Sequence, residues 1–257
     1  MPLITLTSDW GTRDHYLASV KGKILSLMPE ANIVDISHDI PPFSLKEAAF
    51  VFRNSYTFFP KDTVHILGIE TEESGEHPHI AVLKDGHYFI GSDNGIFCLI
   101  FDDPPEKIIE LTIPQDTDYF TFSTRDRFIR AAVHLAGNDP IEALGTGREE
   151  LTQMIHFEPV VDQDTIKGMV IYVDNYENAI TNISRELFDR IRNGRKYRIV
   201  FRGEEIKSLS DSYADVNVSY IVALFGSNGL MEIAINKGNA SGLVGLYVDA
   251  PIRVEFY

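Results

Sequence analysis

The sequence predicts an α/β protein built from an N-terminal mixed α/β sandwich domain (residues 1–160) and a smaller C-terminal β-barrel-like domain (residues 165–257). Two observations predict this division. Strand and helix patterns alternate along the first half, whereas short strands separated by turns dominate from Ile166 onward. Between the halves, Asp162-Gln163-Asp164 is a polar stretch typical of a linker. The boundary is therefore predicted within Val160–Thr165.

The N-terminal half opens with strands and helices in alternation. Apolar stretches predict strands over residues 3–6, 32–36 and 63–69, and the third is apolar enough to be buried on both faces. Apolar side chains at helical spacing predict helices over residues 16–27, 44–52 and 128–136. Asp85-Gly86 separates two further strand-like stretches, residues 79–83 and 87–91, and predicts a hairpin turn. This order favours a mixed sheet covered by helices.

The C-terminal half is dominated by short strands. They are predicted over residues 169–173, 197–201, 220–225 and 243–248. One helix is predicted over residues 185–191, and Ser-Asn-Gly at residues 227–229 predicts the turn of a hairpin. Many short strands with a single helix are typical of a small barrel or sandwich.

Charge and composition argue against several classes of partner. Asp and Glu outnumber Lys and Arg by 38 to 23, which gives a formal net charge of −15. Nucleic acid and anionic membrane surfaces attract a positive field, so neither is expected as the main partner. No apolar run reaches membrane-spanning length and no leader pattern precedes the first strand, so a cytoplasmic protein is expected. Cys98 is the only cysteine, which leaves no intrachain disulfide and no cysteine metal cluster.

A short polar segment, Thr7–Asp14, follows the first predicted strand and precedes the first predicted helix. Asp9 would therefore lie at the carboxyl edge of the sheet, where open α/β sheets bind their ligands. Its carboxylate can accept hydrogen bonds from a vicinal diol such as a ribose, and Trp10 offers a flat face for a ring. The alternative is that Ser8 or Asp9 only caps the helix, and the segment alone leaves both open.

Two further groups of polar residues follow buried strands. Asp174 ends an apolar run and precedes Asn178, so the pair could hold a cation such as an ammonium group or simply form a turn. The stretch Glu70–His79 is rich in carboxylates and imidazoles, which makes a metal site conceivable. Because the helical spacing of zinc-binding histidines is missing, a solvated loop is favoured there and no metal is predicted.

Six motifs in colinear order resemble the S-adenosylmethionine hydrolase family, also called the S-adenosylmethionine hydroxide adenosyltransferases. They are Thr7–Gly11, Val34–Ile40 with Pro42-Phe43, Ser92–Ile96, Phe122–Phe128 with Ala132–Ala136, Asp174–Ile183 and Gly226–Asn236. The resemblance spans essentially the whole chain. That family is related to enzymes that use fluoride or chloride in place of water.

The resemblance implies an enzyme that acts on S-adenosylmethionine as substrate, with no separate cofactor. A nucleophile would attack the ribose C5′ carbon in line, and methionine would leave as a neutral thioether, giving adenosine when the nucleophile is water. The resemblance also implies a homotrimer, with the ligand between the N-terminal domain of one subunit and the C-terminal domain of the next. Aligning the nucleophile and removing its water are then the main tasks of the protein.

The same resemblance assigns binding roles to residues at strand ends. Asp9 matches the ribose-binding aspartate, and Phe43 lies where an aromatic ring packs on the ligand. Asp174 matches the carboxylate that holds the methionine ammonium, with Asn178 beside it. The residues that fall in the segment contacting the methionine carboxylate and the adenine edge are Ser227, Asn228 and Asn236.

The residues at the positions that are thought to hold the attacking water in the family depart from the family pattern. The hydrolases usually carry Asp-Pro-Gly-Val-Gly after the third strand, an Arg seven residues beyond that Asp, and Phe-His-Gly-Arg-Asp further on. Here these positions hold Glu70, His77, Ser123 and Thr124. A histidine does not replace a permanent guanidinium charge, and a serine hydroxyl is too weakly basic to take a proton near neutrality. Thr124 stands where the fluoride-using relative has a hydroxyl residue.

Two functions of different classes remain open from the sequence. The first is an enzyme that hydrolyses S-adenosylmethionine with an altered polar set, Glu70, His77, Ser123 and Thr124. The second is a protein that binds S-adenosylmethionine or adenosine with little or no turnover, because the residues that position water are replaced. The enzyme is favoured because the positions facing the ligand stay polar. A third possibility is an enzyme of the same fold with another nucleophile or a modified adenosyl substrate.

Overall fold

The computed structural model describes residues 2–155 and 158–257 and divides into two compact units, Met1–Ile155 and His156–Tyr257. The stretch Val160–Thr165, predicted as a linker, instead forms part of a hairpin in the second unit. Strand β8 (Val160–Asp162) pairs there with β9 (Thr165–Val173) in antiparallel register. Asp162 Oδ1 accepts a hydrogen bond from the Gln163 N–H at 2.8 Å. Polar residues suit a tight turn as well as they suit a linker.

The first unit is built on a seven-stranded sheet with the order β2-β1-β3-β5-β4-β6-β7. Its strands are β1 (Leu3–Ser8), β2 (Asn32–Ser37), β3 (Val64–Gly68), β4 (His79–Lys84), β5 (His87–Ser92), β6 (Lys107–Leu111) and β7 (Gly145–Arg148). The neighbouring strands β2, β1, β3 and β5 are parallel, and the remaining pairs are antiparallel. The turn between β4 and β5 has positive φ at both Asp85 and Gly86, as the predicted hairpin requires.

Helices cover both faces of this sheet. They are α1 (His15–Leu27), α2 (Leu45–Arg53), α3 (Ile96–Ile100) and α4 (Ile129–Ala136). The α1 and α4 helices share one apolar core with β1 and β3, whereas α2 and α3 belong to a second core on the other face. The predicted mixed α/β sandwich is confirmed.

The path of the chain through this sheet reverses direction at one point. From β1 the chain passes through α1 to β2 on one side, and it then returns through α2 to β3 on the other side of β1. The two crossovers therefore diverge between β1 and β3. In open α/β sheets, ligands bind outside the carboxyl ends of the strands at such a point.

The second unit holds an eight-stranded sheet with the order β12-β11-β15-β9-β10-β14-β13, and β8 pairs with β9. Its other strands are β10 (Ala179–Ser184), β11 (Tyr197–Phe201), β12 (Glu204–Ile206), β13 (Ile221–Phe225), β14 (Leu230–Ile235) and β15 (Pro251–Phe256). One apolar core packs residues from β9, β10, β11, β14 and β15 together with Phe188 of helix α5 (Arg185–Arg192). The β-barrel-like prediction is confirmed.

The strand predicted over residues 243–248 is wrong. Residues Ala240–Val244 form a short helix, α6, which Asn239 caps by accepting the Gly242 N–H at 2.5 Å. Gly245 ends the helix in the left-handed region at φ 74°. The apolar residues that suggested a strand are partly exposed, with Leu243 at 74%. No helix in the described parts of the chain is both long enough and apolar enough to traverse a bilayer.

Candidate functional site

The carboxyl ends of the four parallel strands bring polar segments to one edge of the first unit. They are Ser8-Asp9 at the end of β1, Ser37-His38 at the end of β2, Gly68–Glu70 at the end of β3 and Ser92–Asn94 at the end of β5. These candidate residues therefore lie at the sheet edge where the crossovers on either side of β1 diverge. Four predicted site residues, Asp9, Trp10, Glu70 and His77, lie in segments at or beside this edge.

Asp9 does not cap a helix. The α1 helix begins at His15, and its N-cap residue is Asp14. Asp9 Oδ2 instead accepts a hydrogen bond from the backbone N–H of Phe43 at 2.9 Å. Phe43 adopts a φ of 65°, rare for a residue with a side chain, and its ring is 73% exposed. The bond fixes the orientation of a carboxylate that can accept further donors, beside an exposed aromatic ring.

A chain of polar groups, buried at Ser8 and His38 and partly exposed at Asp35 and Lys21, supports the end of the strand that precedes Asp9. Ser8 Oγ lies 2.6 Å from His38 Nδ1, and His38 Nε2 lies 3.2 Å from Asp35 Oδ1. Lys21 Nζ completes the chain at 2.5 Å from Asp35 Oδ2. Ser8 is fully buried, so its hydroxyl cannot meet a substrate despite the Ser-His-Asp order. Burial raises the pKa of Asp35, but the bonds from Lys21 and His38 outweigh it and leave that pKa lowered.

Trp10 packs against the protein at this edge. A Cβ placed on Gly68 would lie 2.3 Å from Trp10 Cζ2, so the indole covers the end of β3 where only glycine fits. The indole meets the Phe122 ring edge-on at a centroid distance of 5.4 Å and stacks near His38 at 6.4 Å. Trp10 thereby connects β1, β3 and the segment that carries Ser123.

Asn94 and Asp93 connect Glu70 with His77. Asn94 Nδ2 donates to the backbone carbonyls of Glu70 at 3.1 Å and Ile69 at 3.3 Å. Glu70 has a φ of 47° and an exposed side chain. His77 Nδ1 lies 3.2 Å from the carbonyl oxygen of Asp93, which can only accept, so the His77 proton resides on Nδ1. In the neutral ring, Nε2 then carries a free lone pair.

Ser123 and Thr124, which were predicted to contact the attacking water, are both buried. Ser123 precedes a π-helical turn, Thr124–Phe128, which follows Phe122 and is wider than an α-helical turn. Ser123 is 1% exposed, and its Oγ accepts a hydrogen bond from Gln115 Nε2 at 3.2 Å. Thr124 is fully buried, and its Oγ1 has no hydrogen-bond partner within residues 2–155 and 158–257.

The loop Glu70–His79 does not assemble a metal site. Within the described part of the chain, no group of three or more His, Cys, Asp or Glu side chains is placed to hold an ion. His79, at the end of the loop, is buried and directs Nε2 to the Thr71 carbonyl at 2.9 Å. Its imidazole is therefore used to support the loop.

In the second unit, Asp174 and Asn178 form one closed turn between β9 and β10. Asp174 Oδ1 accepts the backbone N–H groups of Tyr176 and Asn178, both at 2.9 Å. Asp174 Oδ2 accepts from Asn178 Nδ2 at 3.0 Å. The turn chemistry expected from the sequence is present, and it presents a half-buried carboxylate at the end of β9. Turn formation and cation binding are therefore compatible.

Ser227, Asn228 and Asn236 flank strand β14. Ser227 and Asn228 lie in the exposed turn before the strand, where Asn228 Oδ1 accepts the Leu230 N–H at 3.0 Å. Asn236 follows the strand, and its Nδ2 donates to the Val216 carbonyl at 2.8 Å. The hairpin predicted over this segment is confirmed by the antiparallel pairing of β13 with β14.

Glu232, which sequence patterns did not single out, lies between these groups. It is 5% exposed, and its Oε1 accepts a hydrogen bond from the Tyr213 hydroxyl at 2.7 Å. A Cβ placed on Gly226, beside Ser227, would lie 3.3 Å from Glu232 Oε2. Burial raises the pKa of Glu232, the Tyr213 hydrogen bond lowers it, and repulsion from Asp174 raises it further. A lone acid inside the apolar run Leu230–Ile235 was the available signal.

Comparisons with known proteins give the family of the chain. The family model described as SAM hydroxide adenosyltransferase N-terminal domain matches residues 4–145, and the corresponding C-terminal domain model matches residues 168–253. An (R)-S-adenosyl-L-methionine hydrolase of Methanocaldococcus jannaschii is 29% identical, covering 97% of this chain and 94% of the relative. One from Thermus thermophilus is also 29% identical, covering 96% of this chain and 97% of the relative.

A solved structure from Thermotoga maritima, of a protein described as uncharacterized and conserved, superposes with a TM-score of 0.89 at 27% identity. The match covers 98% of this chain and 99% of that one. The two family models together span most of the sequence, and the chain belongs to the SAM hydroxide adenosyltransferase family.

Proposed function

We propose that this protein hydrolyses S-adenosylmethionine to adenosine and methionine by substitution at the ribose C5′ carbon. The observation that carries the proposal is the Asp9 carboxylate, held by the Phe43 N–H at 2.9 Å at the point where the sheet crossovers diverge. A carboxylate oriented in this way suits the two hydroxyls of a ribose. The hydrolase names of the full-length relatives support the reaction.

Each end of the substrate has a proposed set of partners. Asp9 takes the ribose diol, Trp10 forms the wall beside it, and the exposed Phe43 ring covers the sugar or base. Asp174 and Asn178 bind the methionine ammonium, and Glu232 places a second carboxylate near Asp174. The partners proposed for the methionine carboxylate and the adenine edge are Ser227, Asn228 and Asn236.

His77 is the proposed base for the attacking water. Its Nδ1–H is held by the Asp93 carbonyl, so Nε2 can accept a proton. The water oxygen bonds to C5′ as the C5′–S bond breaks, and the bonding pair leaves on sulfur as the neutral thioether. One water proton passes to His77 Nε2 and then to solvent, and the other stays on the new 5′-hydroxyl. Glu70, Ser123 and Thr124 orient the water rather than deprotonate it.

Binding without turnover is the alternative, and one observation favours it. The Ser123 and Thr124 side chains are 1% and 0% exposed, which leaves their hydroxyls little access to a water beside the ligand. In that case the ribose site at Asp9 and the ammonium site at Asp174 would still bind an adenosyl ligand, and only the chemical step would be missing.

Product analysis distinguishes the two functions. The purified protein is incubated with S-adenosylmethionine, with and without chloride or fluoride, and the products are separated chromatographically. Adenosine as the main product in all conditions supports the hydrolase, and a halogenated adenosine would assign a halide as nucleophile. Binding of S-adenosylmethionine in calorimetry without any product would establish the binding protein. Failure to bind S-adenosylmethionine or adenosine would refute both.

Assembly, location and cofactor use complete the proposal. We propose a cytoplasmic homotrimer in which the N-terminal domain of one subunit and the C-terminal domain of the next share each ligand, as the family resemblance implies. Light scattering of the purified protein tests the trimer, and a monomeric mass would contradict it. We propose that no cofactor or metal is needed, so dialysis against a chelator should leave turnover unchanged.

A further inference from the structure

Arg127 connects the two segments whose residues are proposed to orient or deprotonate the attacking water. Glu70 and His77 belong to the loop Glu70–His79, whereas Ser123 and Thr124 lie at the start of the turn that ends at Phe128. Arg127 of that turn donates through Nη1 to Glu73 Oε1, and the same nitrogen lies 3.2 Å from His79 Nδ1. The Arg127 side chain is 12% exposed and that of Glu73 36%, so the guanidinium is largely enclosed while its carboxylate partner remains in contact with solvent.

The hydrogen bonds fix the protonation pattern of this connection. Arginine can only donate, so His79 Nδ1 accepts from Arg127 and the His79 proton lies on Nε2. That Nε2–H donates to the Thr71 carbonyl at 2.9 Å, one residue from Glu70. Burial lowers the pKa of His79, and the nearby charge of Arg127 lowers it further. The Thr71 carbonyl and Glu73 act in the opposite direction, but the pKa stays lowered. A neutral His79 therefore transmits the position of Arg127 to the start of the loop.

The turn that presents Arg127 is itself braced. Asp126 accepts hydrogen bonds from Arg125 Nε and Nη2, both at 2.6 Å, and from Thr117 Oγ1 at 2.8 Å. The Phe128 ring meets the His79 ring edge-on at a centroid distance of 4.7 Å. Movement of Arg127 relative to Thr124 is thus restricted, and the loop is held against a defined surface.

We infer that Arg127 is a positioning residue for hydrolysis, which places the Glu70–His79 loop against the Ser123-Thr124 turn. The position that carries an arginine in the hydrolase pattern holds His77 here, and Arg127 supplies a guanidinium to the same loop from the facing segment. A guanidinium suits this task because it is permanently charged and can address two acceptors in one plane. This inference rests on the proposed function.

Kinetics of four variants test it. Arg127→Met should lower kcat on S-adenosylmethionine by about 10- to 100-fold and change its Kd by less than about threefold, because small misplacements affect the chemical step far more than binding. Arg127→Lys should recover part of kcat. Glu73→Gln should lower kcat, and the double variant Arg127→Met/Glu73→Gln should lose little more than Arg127→Met alone, because both changes break one connection.

Arg130→Met is the matched control. Arg130 lies three residues further along and binds Asp116 and the Pro114 carbonyl, away from the loop. Its kcat should equal that of the unmodified protein. An unchanged kcat in Arg127→Met, or equal losses in Arg127→Met and Arg130→Met, would overturn the positioning role.

Hydrogen exchange separates this inference from the proposed function. In Arg127→Met, amides within residues 70–79 should exchange about tenfold faster than in the unmodified protein, and Arg130→Met should leave them unchanged. Unchanged exchange in Arg127→Met would contradict the connection. If the unmodified protein binds S-adenosylmethionine without hydrolysing it while exchange rises as expected, the connection stands, and the proposed function fails together with the catalytic part of the inference.

Discussion

Asp9 Oδ2 and the backbone N–H of Phe43 lie 2.9 Å apart, and this hydrogen bond joins the segment after β1 to the segment after β2. The donor belongs to a residue with a φ of 65°, a conformation that the surrounding chain must hold. The proposed ribose site is therefore preorganised by backbone geometry, and its carboxylate charge is already oriented before a ligand arrives.

Replacing Asp9 should weaken nucleoside binding. Asp9→Asn keeps the size of the side chain but removes the charge, and the loss of charge-assisted hydrogen bonds to the diol should raise the Kd for S-adenosylmethionine about 10- to 100-fold. Calorimetric titration measures the change. Asp14→Asn, at the N-cap of α1 without a side-chain capping bond, is the control and should bind as the unmodified protein does. Equal affinities for Asp9→Asn and the unmodified protein would remove Asp9 from the site.

Replacing His77 should affect the chemical step. His77→Gln can keep a bond to the Asp93 carbonyl but lacks the Nε2 lone pair, so kcat should fall by about 100-fold with a smaller change in KM. Steady-state kinetics with S-adenosylmethionine provide the measurement. The control is His134→Gln, which changes a histidine that also contacts a backbone carbonyl, that of Pro140. A kcat equal to that of the unmodified protein would leave His77 without a role as base.

Glu232 should contribute to recognition of the amino acid part of the substrate. Glu232→Gln keeps an acceptor for Tyr213 but removes the second negative charge beside Asp174. The Kd for S-adenosylmethionine should rise about 3- to 30-fold, while the Kd for adenosine, which has no ammonium group, should stay the same. Glu205→Gln, an exposed acid on β12, is the control. A parallel loss of affinity for both ligands would show that Glu232 supports the fold and does not select the ligand.

Gly68 should be intolerant of a side chain. A Cβ there would lie 2.3 Å from Trp10 Cζ2, so Gly68→Ala must displace the indole and should lower the free energy of unfolding by about 1–3 kcal/mol. Gly22→Ala is the matched control, because nothing lies within 4 Å of its Cβ position in the middle of α1. That control should be stabilised by up to about 1 kcal/mol. Chemical denaturation compares the two, and equal effects would contradict the packing of Trp10.

Stability should fall in acid because of a buried histidine pair away from the site. His65 Nδ1 lies 2.7 Å from Thr5 Oγ1 and its Nε2 lies 3.1 Å from His87 Nδ1, among aromatic rings. Burial lowers the pKa of His65 from its ordinary value of 6.5 to about 3, with His87 adding to the shift. Between these values the unfolded chain binds more protons than the folded one. The free energy of unfolding should therefore fall as the pH drops through this window, by up to about 1.4 kcal/mol per pH unit.

Denaturation at several pH values measures this dependence. His65→Gln removes one titrating ring of the pair and should reduce the slope, whereas His15→Gln, at the exposed start of α1, should leave it as in the unmodified protein. A slope in His65→Gln as steep as in the unmodified protein would assign the acid sensitivity to other groups.

The N-terminal fold was predictable because its elements are strongly patterned. The parallel strand Val64–Gly68 is fully buried and is apolar apart from His65, and the Asp85-Gly86 turn has few conformational alternatives. By contrast, residues 243–248 are apolar but partly exposed, and the cap at Asn239 with the left-handed Gly245 decides for a helix there. The composition of residues 243–248 alone does not distinguish a helix from a strand.

The site was predictable where its residues follow strands, and unpredictable where they act through distant partners. The choice between cap and ligand carboxylate at Asp9 depended on where α1 begins, six residues further along, and on a bond to Phe43. Arg127 lies in a run of alternating charges that resembles a solvated surface, and only the tertiary contacts with Glu73 and His79 reveal its burial. Such pairings are fixed by the fold and leave no local signal.

The most direct test of the proposed reaction is the origin of the oxygen in the product. S-adenosylmethionine is incubated with the protein in water labelled with the heavy oxygen isotope, and the nucleoside is analysed by mass spectrometry. Attack of water at C5′ predicts adenosine that carries the label in its 5′-hydroxyl, and His77→Gln should form it far more slowly. Absence of adenosine, or adenosine without the label, would contradict hydrolysis at C5′.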